Sequence, residues 1–115
     1  IYRFIESNRP FIGICLGLHL LFEISEEFGS HSGLGLIKGS VKKFQFNTDE
    51  NIKYPVPQIG WNKIRQNGGQ WKETLLCKNR DKDFMYFVHS YYVLPEDEKV
   101  EIGMDPGIVE VLREL

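Results

Sequence analysis

A chain of 115 residues fits one small domain, and 42% hydrophobic with 26% charged residues excludes a disordered polymer in favour of a packed core. The formal net charge of −2 offers no basic footprint for nucleic acid. The longest apolar stretches are interrupted by Gly, His or Ser, well short of the roughly 20 residues that cross a bilayer, and no basic segment leads into an apolar run as in a secretory signal.

Residues 1–9 fit the tail of a helix. Residues 10–14, PFIGI, predict a short buried strand: a few apolar residues bounded by Pro and Gly. From residue 16 the pattern changes. Gly17, Leu20, Leu21, Ile24 and Phe28 recur at helical spacing while Glu23, Glu26 and Glu27 face elsewhere. This predicts a helix over 16–28 with Gly29 as its C-cap. Residues 29–39 hold four glycines and predict a loop; 41–46 predict a strand, and 47–51 a polar loop. Pro55 and Pro57 hold the approach to Gln58-Ile-Gly-Trp-Asn62 extended, because a residue before proline avoids the helical region. Asn67-Gly68 predicts a hairpin turn joining strands over 61–66 and 70–76. Residues 79–83 form a charged turn. FMYFVHSYYV, residues 84–93, predicts a strand covered on both faces, being aromatic and β-branched with little alternation. Asp105-Pro106 pairs an N-cap residue with a proline at the first helical position, and predicts a helix to residue 115.

Cys15 therefore falls at a strand-to-helix turn, inside Gly13-Ile-Cys-Leu-Gly17. A sharp turn there pushes the thiol out of the sheet, and flanking glycines leave room for a substrate. A helix N-terminus adds unpaired N–H groups and a positive dipole end, which favour a thiolate and a developing oxyanion. Leu16 N–H is the natural first oxyanion donor. Cysteine is also among the most buried residue types, so nucleophile and core packing both stay open on this context alone. Cys77 precedes a charged turn without such a context and is read as incidental. Two cysteines make no disulfide framework, which points to a reduced, cytoplasmic setting. The chain opens at Ile1, so its native start is expected upstream.

Gly13-Ile-Cys-Leu-Gly-Leu-His-Leu-Leu-Phe22 resembles the nucleophile segment of class I glutamine amidotransferases. Gly33-Leu-Gly-Leu-Ile-Lys-Gly39, Val56-Pro-Gln-Ile-Gly-Trp-Asn62 and Tyr86-Phe-Val-His-Ser-Tyr91 follow in order, and narrow the resemblance to the glutaminase subunit of imidazole glycerol phosphate synthase. The match runs over about residues 9–97, with 101–115 a divergent tail of a single partial domain. It implies an α/β fold, a fragment of a flavodoxin-like three-layer domain. It implies hydrolysis of glutamine through a cysteine thioester, with ammonia passed to a (β/α)8 cyclase subunit in histidine biosynthesis. No cofactor, metal, nucleic acid or membrane is implied. By position, Cys15 matches the nucleophile and Leu16 an oxyanion-hole amide. His19 stands where the family commonly has a substrate-holding Gln, so an amide's paired donor and acceptor are replaced by an imidazole. His89, Ser90 and Tyr91 match the segment along the substrate's amino-acid end. Gln58, Trp61 and Asn62 match the cyclase interface, and Trp61 is expected to be exposed beside the other two, on the side of the Cys15 turn.

The family's triad His and Glu come from a His-Pro-Glu motif that these 115 residues do not contain, and its glycine-bearing oxyanion loop is not matched either. His89 is not assigned as the base, since strand alternation alone cannot bring it to the thiol; substrate contact and local hydrogen bonding both stay open for it. His31, in the glycine-rich loop, is read as solvated. By itself the chain is expected to hydrolyse glutamine no better than background. Two other readings stay open: an amidotransferase serving a related cyclase-like partner in the amidination of surface-polysaccharide sugars, and a non-catalytic interaction module retaining the partner face.

Overall fold

Tyr2–Glu6 form a short helix, α1, and the Tyr2 hydroxyl donates to the Leu34 carbonyl. The computed structural model describes residues 1–9, 11–44, 56–66, 71–74, 76–97 and 103–104. Among these residues no helix is long and apolar enough to cross a membrane. The predicted loop over 47–51, the Asn67-Gly68 turn and the helix from Asp105 lie outside them.

Residues 11–14 join no strand, and Ile14 is 72% exposed, so the buried strand expected there is not formed. What is buried is Gly13. A β-carbon on Gly13 would stand 2.7 Å from the Gly17 carbonyl oxygen and 2.9 Å from the Leu18 nitrogen. These neighbours are backbone atoms of the following helical turn and cannot step aside, so the segment packs directly onto that turn. Gly17 differs: nothing lies within 4 Å of where its β-carbon would be. The first glycine of the motif is needed for close approach, and the second leaves open space.

The helix after Cys15 is a single turn, α2, over Leu16–His19. The helix expected to reach residue 28 gives way to strand β1, Phe22–Ser25. Non-local pairing decides this. The Leu21 carbonyl accepts from both Leu36 and Ile37 N–H at 2.9 Å, and β1 then runs parallel to β3, Ile37–Lys43, with Ser25 opposite Val41. Its other edge takes β2, His31–Ser32, antiparallel. Tertiary pairing of this kind overrides local helical preference. Phe28, expected on the buried face, is 91% exposed at φ 56°, and Gly29 caps no helix.

β3 starts earlier than expected, within the glycine-rich stretch, and pairs antiparallel with β7, Tyr91–Pro95. The sheet order is β2-β1-β3-β7. A second sheet pairs β4, Gln58–Lys63, with β6, Phe84–His89. The single strand expected over 84–93 is thus two strands broken at Ser90, each in its own sheet. It is not covered on both faces either: Phe87 is buried while Phe84, Tyr86 and Val88 are exposed. Among the described residues, the strands expected over 61–66 and 70–76 do not pair with each other. β5, Arg65–Gln66, pairs instead with β8, Gly103–Met104, and Trp71–Glu73 is a 3₁₀ turn. The 79–83 turn is present, held by Arg80 N–H to the Asp83 carboxylate at 2.8 Å.

With helices beside mixed sheets the chain is α/β in class, as a fragment of a flavodoxin-like domain requires. Two apolar clusters hold it. Leu18, Leu21, Phe22, Ile37, Val41 and Val93 form one, under the larger sheet. Ile64, Trp71, Leu76 and Phe87 form the other.

Urea unfolding checks this architecture in two ways. Phe22→Ala should cost about 3–5 kcal/mol, as for a fully buried aromatic, whereas Phe28→Ser should stay within about 0.5 kcal/mol; equal losses would restore the long helix. Gly13→Ala should destabilise by about 1–3 kcal/mol or more through overpacking, whereas Gly17→Ala should range from neutral to about 1 kcal/mol stabilising.

Candidate active site

Cys15 stands at the N-terminal edge of α2 with φ 51° and ψ −122°. That is outside the basins available to a side-chain-bearing residue without strain, at a cost of about 1–3 kcal/mol, and such strain gathers at functional sites. The turn is closed by Gly17 N–H to the Ile14 carbonyl at 2.9 Å, and by Leu18 and His19 N–H to the Cys15 carbonyl at 2.9 and 3.1 Å. The thiol is free and exposed, so core packing does not account for it. Leu16 N–H has no hydrogen-bond partner among the described residues. Any help to an anion at the sulfur comes from this individual amide, since one helical turn carries little macrodipole.

A cavity of about 830 Å³ opens beside the thiol. Cys15, Leu16 and His19 line one wall, and His89, Ser90 and Tyr91 line another. Six residues singled out from the sequence are therefore gathered on one space. The second wall exists because the chain leaves the β4–β6 sheet at His89 and enters the larger sheet at Tyr91. His89 Nδ1 donates to the Tyr91 carbonyl at 2.9 Å across this break, and since a carbonyl only accepts, Nδ1 carries the proton. Phe44 meets the His89 ring edge-on at 4.9 Å, and its N–H reaches the Ser90 carbonyl at 3.1 Å.

His19 is largely buried. Its Nδ1 lies 3.6 Å from a carboxylate oxygen of Glu27, which also lines the cavity. Sequence reasoning missed Glu27, placing it on the outer face of a long helix; only the return of the chain through β1 brings it back to α2. His31 is exposed, as expected, but it lies in β2 rather than in a loop; it borders the cavity, and its Nε2 donates to the Phe28 carbonyl at 3.2 Å.

Gln58, Trp61 and Asn62 do not line the cavity. Trp61 is 66% exposed, but Gln58 and Asn62 are half-buried, and β4 alternates. Residues an odd number apart on a strand point to opposite faces, so the expected single patch of all three is not formed. Trp61 instead meets Tyr86 of β6, ring centroids 5.5 Å apart, and Tyr86 borders the cavity.

No family model matches the chain. Curated relatives do. The imidazole glycerol phosphate synthase subunit HisH of Sulfurimonas denitrificans is 49% identical over 105 residues, covering 90% of this chain and 47% of that protein. HisH of Geobacillus kaustophilus is 41% identical, covering 93% and 49%, and HisH of Aquifex aeolicus is 47% identical, covering 87% and 44%. The chain spans about half the length of the curated relatives it matches. Identity at this level, sustained along nearly all of its own residues, makes the chain HisH-like over the part of those subunits that it spans.

Proposed function

We propose that this chain carries the thiol-bearing part of a glutaminase that supplies ammonia to the cyclase of imidazole glycerol phosphate synthase in histidine biosynthesis. The observation that supports this reading best is the gathering of Cys15, Leu16, His19, His89, Ser90 and Tyr91 around one cavity in a HisH relative. The names of the relatives favour this synthase over the sugar-amidinating alternative.

The chemistry is the one that the resemblance implies. The Cys15 thiolate attacks the side-chain amide carbon of glutamine, and a C–S bond forms as the carbonyl π pair moves to oxygen. Leu16 N–H faces that oxyanion as one donor of the hole. The intermediate collapses, the C–N bond breaks, and nitrogen leaves as ammonia after gaining a proton. Water then cleaves the thioester to glutamate. His89, Ser90 and Tyr91 flank the α-amino and α-carboxylate end, where the break between β6 and β7 offers backbone and hydroxyl groups. His19 contacts the amide from the α2 side. The cyclase covers the cavity's neighbourhood through Trp61, which adjoins a cavity-lining ring.

Two measurements test these roles. A diazoketone analogue of glutamine should alkylate Cys15 and not Cys77, as read by peptide mass spectrometry. Excess glutamine should slow the labelling at least about tenfold, an occupancy effect of a ligand well above its dissociation constant. Equal labelling of both cysteines, unprotected by glutamine, would reject the substrate assignment. For the partner, Trp61→Ala should weaken cyclase binding by more than about 1 kcal/mol without the roughly 3–5 kcal/mol stability loss of a truncated core Trp. A variant that binds the cyclase unchanged would remove Trp61 from the interface.

A further inference from the structure

Phe44 stands outside the cavity and holds the wall formed at the break between β6 and β7. It follows Lys43, the last residue of β3, which lies opposite Tyr91 at the start of β7. Phe44 is 9% exposed and does not line the cavity, whereas His89, Ser90, Tyr91 and Tyr92 do. Its N–H donates to the Ser90 carbonyl at 3.1 Å. Its ring meets the His89 ring edge-on, at 4.9 Å and 80°. The same ring stacks on Tyr92 at 5.2 Å, with the planes 15° apart. One residue therefore grips the chain before, at and after the break.

These contacts fix different freedoms. The peptide between Ser90 and Tyr91 is trans, and a trans peptide is planar, with its carbonyl and N–H pointing opposite ways. Holding the Ser90 carbonyl toward Phe44 therefore turns the Tyr91 N–H toward the open edge of β7, the outer strand of its sheet among the described residues. The edge-on contact sets the plane of the His89 ring, whose Nδ1–H is on the Tyr91 carbonyl. The stack on Tyr92 fixes where β7 leaves the break. Without the Phe44 ring both aromatic contacts go, while the main-chain bond can persist. Displacing a group that positions a substrate by about 1 Å can cost about a hundredfold.

We propose that Phe44 is a positioning residue for the amino-acid end of the substrate, acting through His89, Ser90 and Tyr91. It holds them in the arrangement that binds. It sets affinity and leaves the chemistry at sulfur alone, because Cys15, Leu16 and His19 form the other wall. This rests on the reading of the cavity as a glutamine site. A residue that only filled the core would change stability and leave affinity as it was. Ile37, also on β3, is such a residue: it is buried in the larger apolar cluster and does not line the cavity.

The test is labelling of Cys15 by the diazoketone analogue in a Cys77→Ser background, measured against analogue concentration. In Phe44→Leu the concentration giving half-maximal rate should rise at least about tenfold. The maximal rate should change less than about threefold, the mark of lost binding rather than lost chemistry. Iodoacetamide, which carries no amino-acid end, should alkylate Cys15 within about twofold of the parent rate. Ile37→Ala should keep the parent half-maximal concentration although it unfolds at lower urea. In protein labelled with nitrogen-15 at histidine, the parent His89 should show a protonated Nδ1 above about pH 8, where imidazole is neutral. Phe44→Leu should shift that ring toward a mixture of tautomers. A parent half-maximal concentration in Phe44→Leu overturns the proposal, as does an equal rise in Ile37→Ala. If Phe44→Leu fails to fold, Phe44→Met, which keeps bulk without a flat ring, decides in its place. Parent labelling that never saturates would reject glutamine as the ligand; a tautomer shift in Phe44→Leu would then leave the hold of Phe44 on the break standing, and an unchanged ring would remove that too.

Discussion

The molecule turns on one backbone break, at Ser90. Before it, β6 pairs with β4, ending at His89 opposite Gln58; after it, β7 pairs with β3, beginning at Tyr91 opposite Lys43. One continuous aromatic segment thereby belongs to both sheets. Phe87 anchors it in one apolar cluster and Val93 in the other. Phe44 ties the break from the side, stacking on Tyr92 at 5.2 Å while meeting His89 edge-on. Of the residues at the break, Tyr91 packs against the larger cluster, while His89 and Ser90 stand at its edge. All three line the cavity. Cavities lined by aromatic and apolar groups with a few placed polar ones are the usual form of a small-molecule site.

The opposite wall depends on a steric condition. Gly13 lies against the backbone of Gly17 and Leu18 with no room for a side chain. Leu18 and Leu21 then enter the core, and the chain is committed on both sides of Cys15. A residue held between two fixed segments must accept whatever dihedrals close the turn. For Cys15 these are strained, and the strain presents the thiol outward. Burial of two leucines and a phenylalanine beside it, each worth about 1.5–3 kcal/mol, outweighs a cost of that size.

The two-stranded sheet has a different balance. Its outer face pairs Ile59 with Val88, Trp61 with Tyr86, and Lys63 with Phe84, all exposed. Lys63 lies over the Phe84 ring, 5.3 Å from its centre, a contact worth about 0.5–1 kcal/mol where exposed. Such a contiguous apolar ladder is more than isolated surface residues explain. Because Tyr86 and Val88 also line the cavity, whatever protein surface meets this ladder also borders the site. The substrate-binding and partner roles proposed for the chain thus share one strand.

The sequence by itself determined the parts that rest on local chemistry. Gly13-Ile-Cys-Leu-Gly17 announced a turn at Cys15 because glycine spacing and the change of pattern after it are short-range signals, while the exposure of the thiol was left open. The Arg80–Asp83 turn was legible for the same reason. The opposed faces of Trp61 and its neighbours Gln58 and Asn62 were misread from the sequence, which set the three side by side. Only the tertiary structure decided the rest. Leu20, Leu21, Ile24 and Phe28 satisfy a helical period, but Phe22–Ser25 became a strand because residues 36–41 supplied hydrogen-bond partners that no local pattern could reveal. That return brought Glu27 to His19. The uniform apolarity of residues 84–93 hid the break at Ser90, since a strand's hydrophobicity says that it is buried and not which strand lies beside it. Side-chain pattern is local information, whereas strand pairing is a competition among distant backbones for the same donors and acceptors.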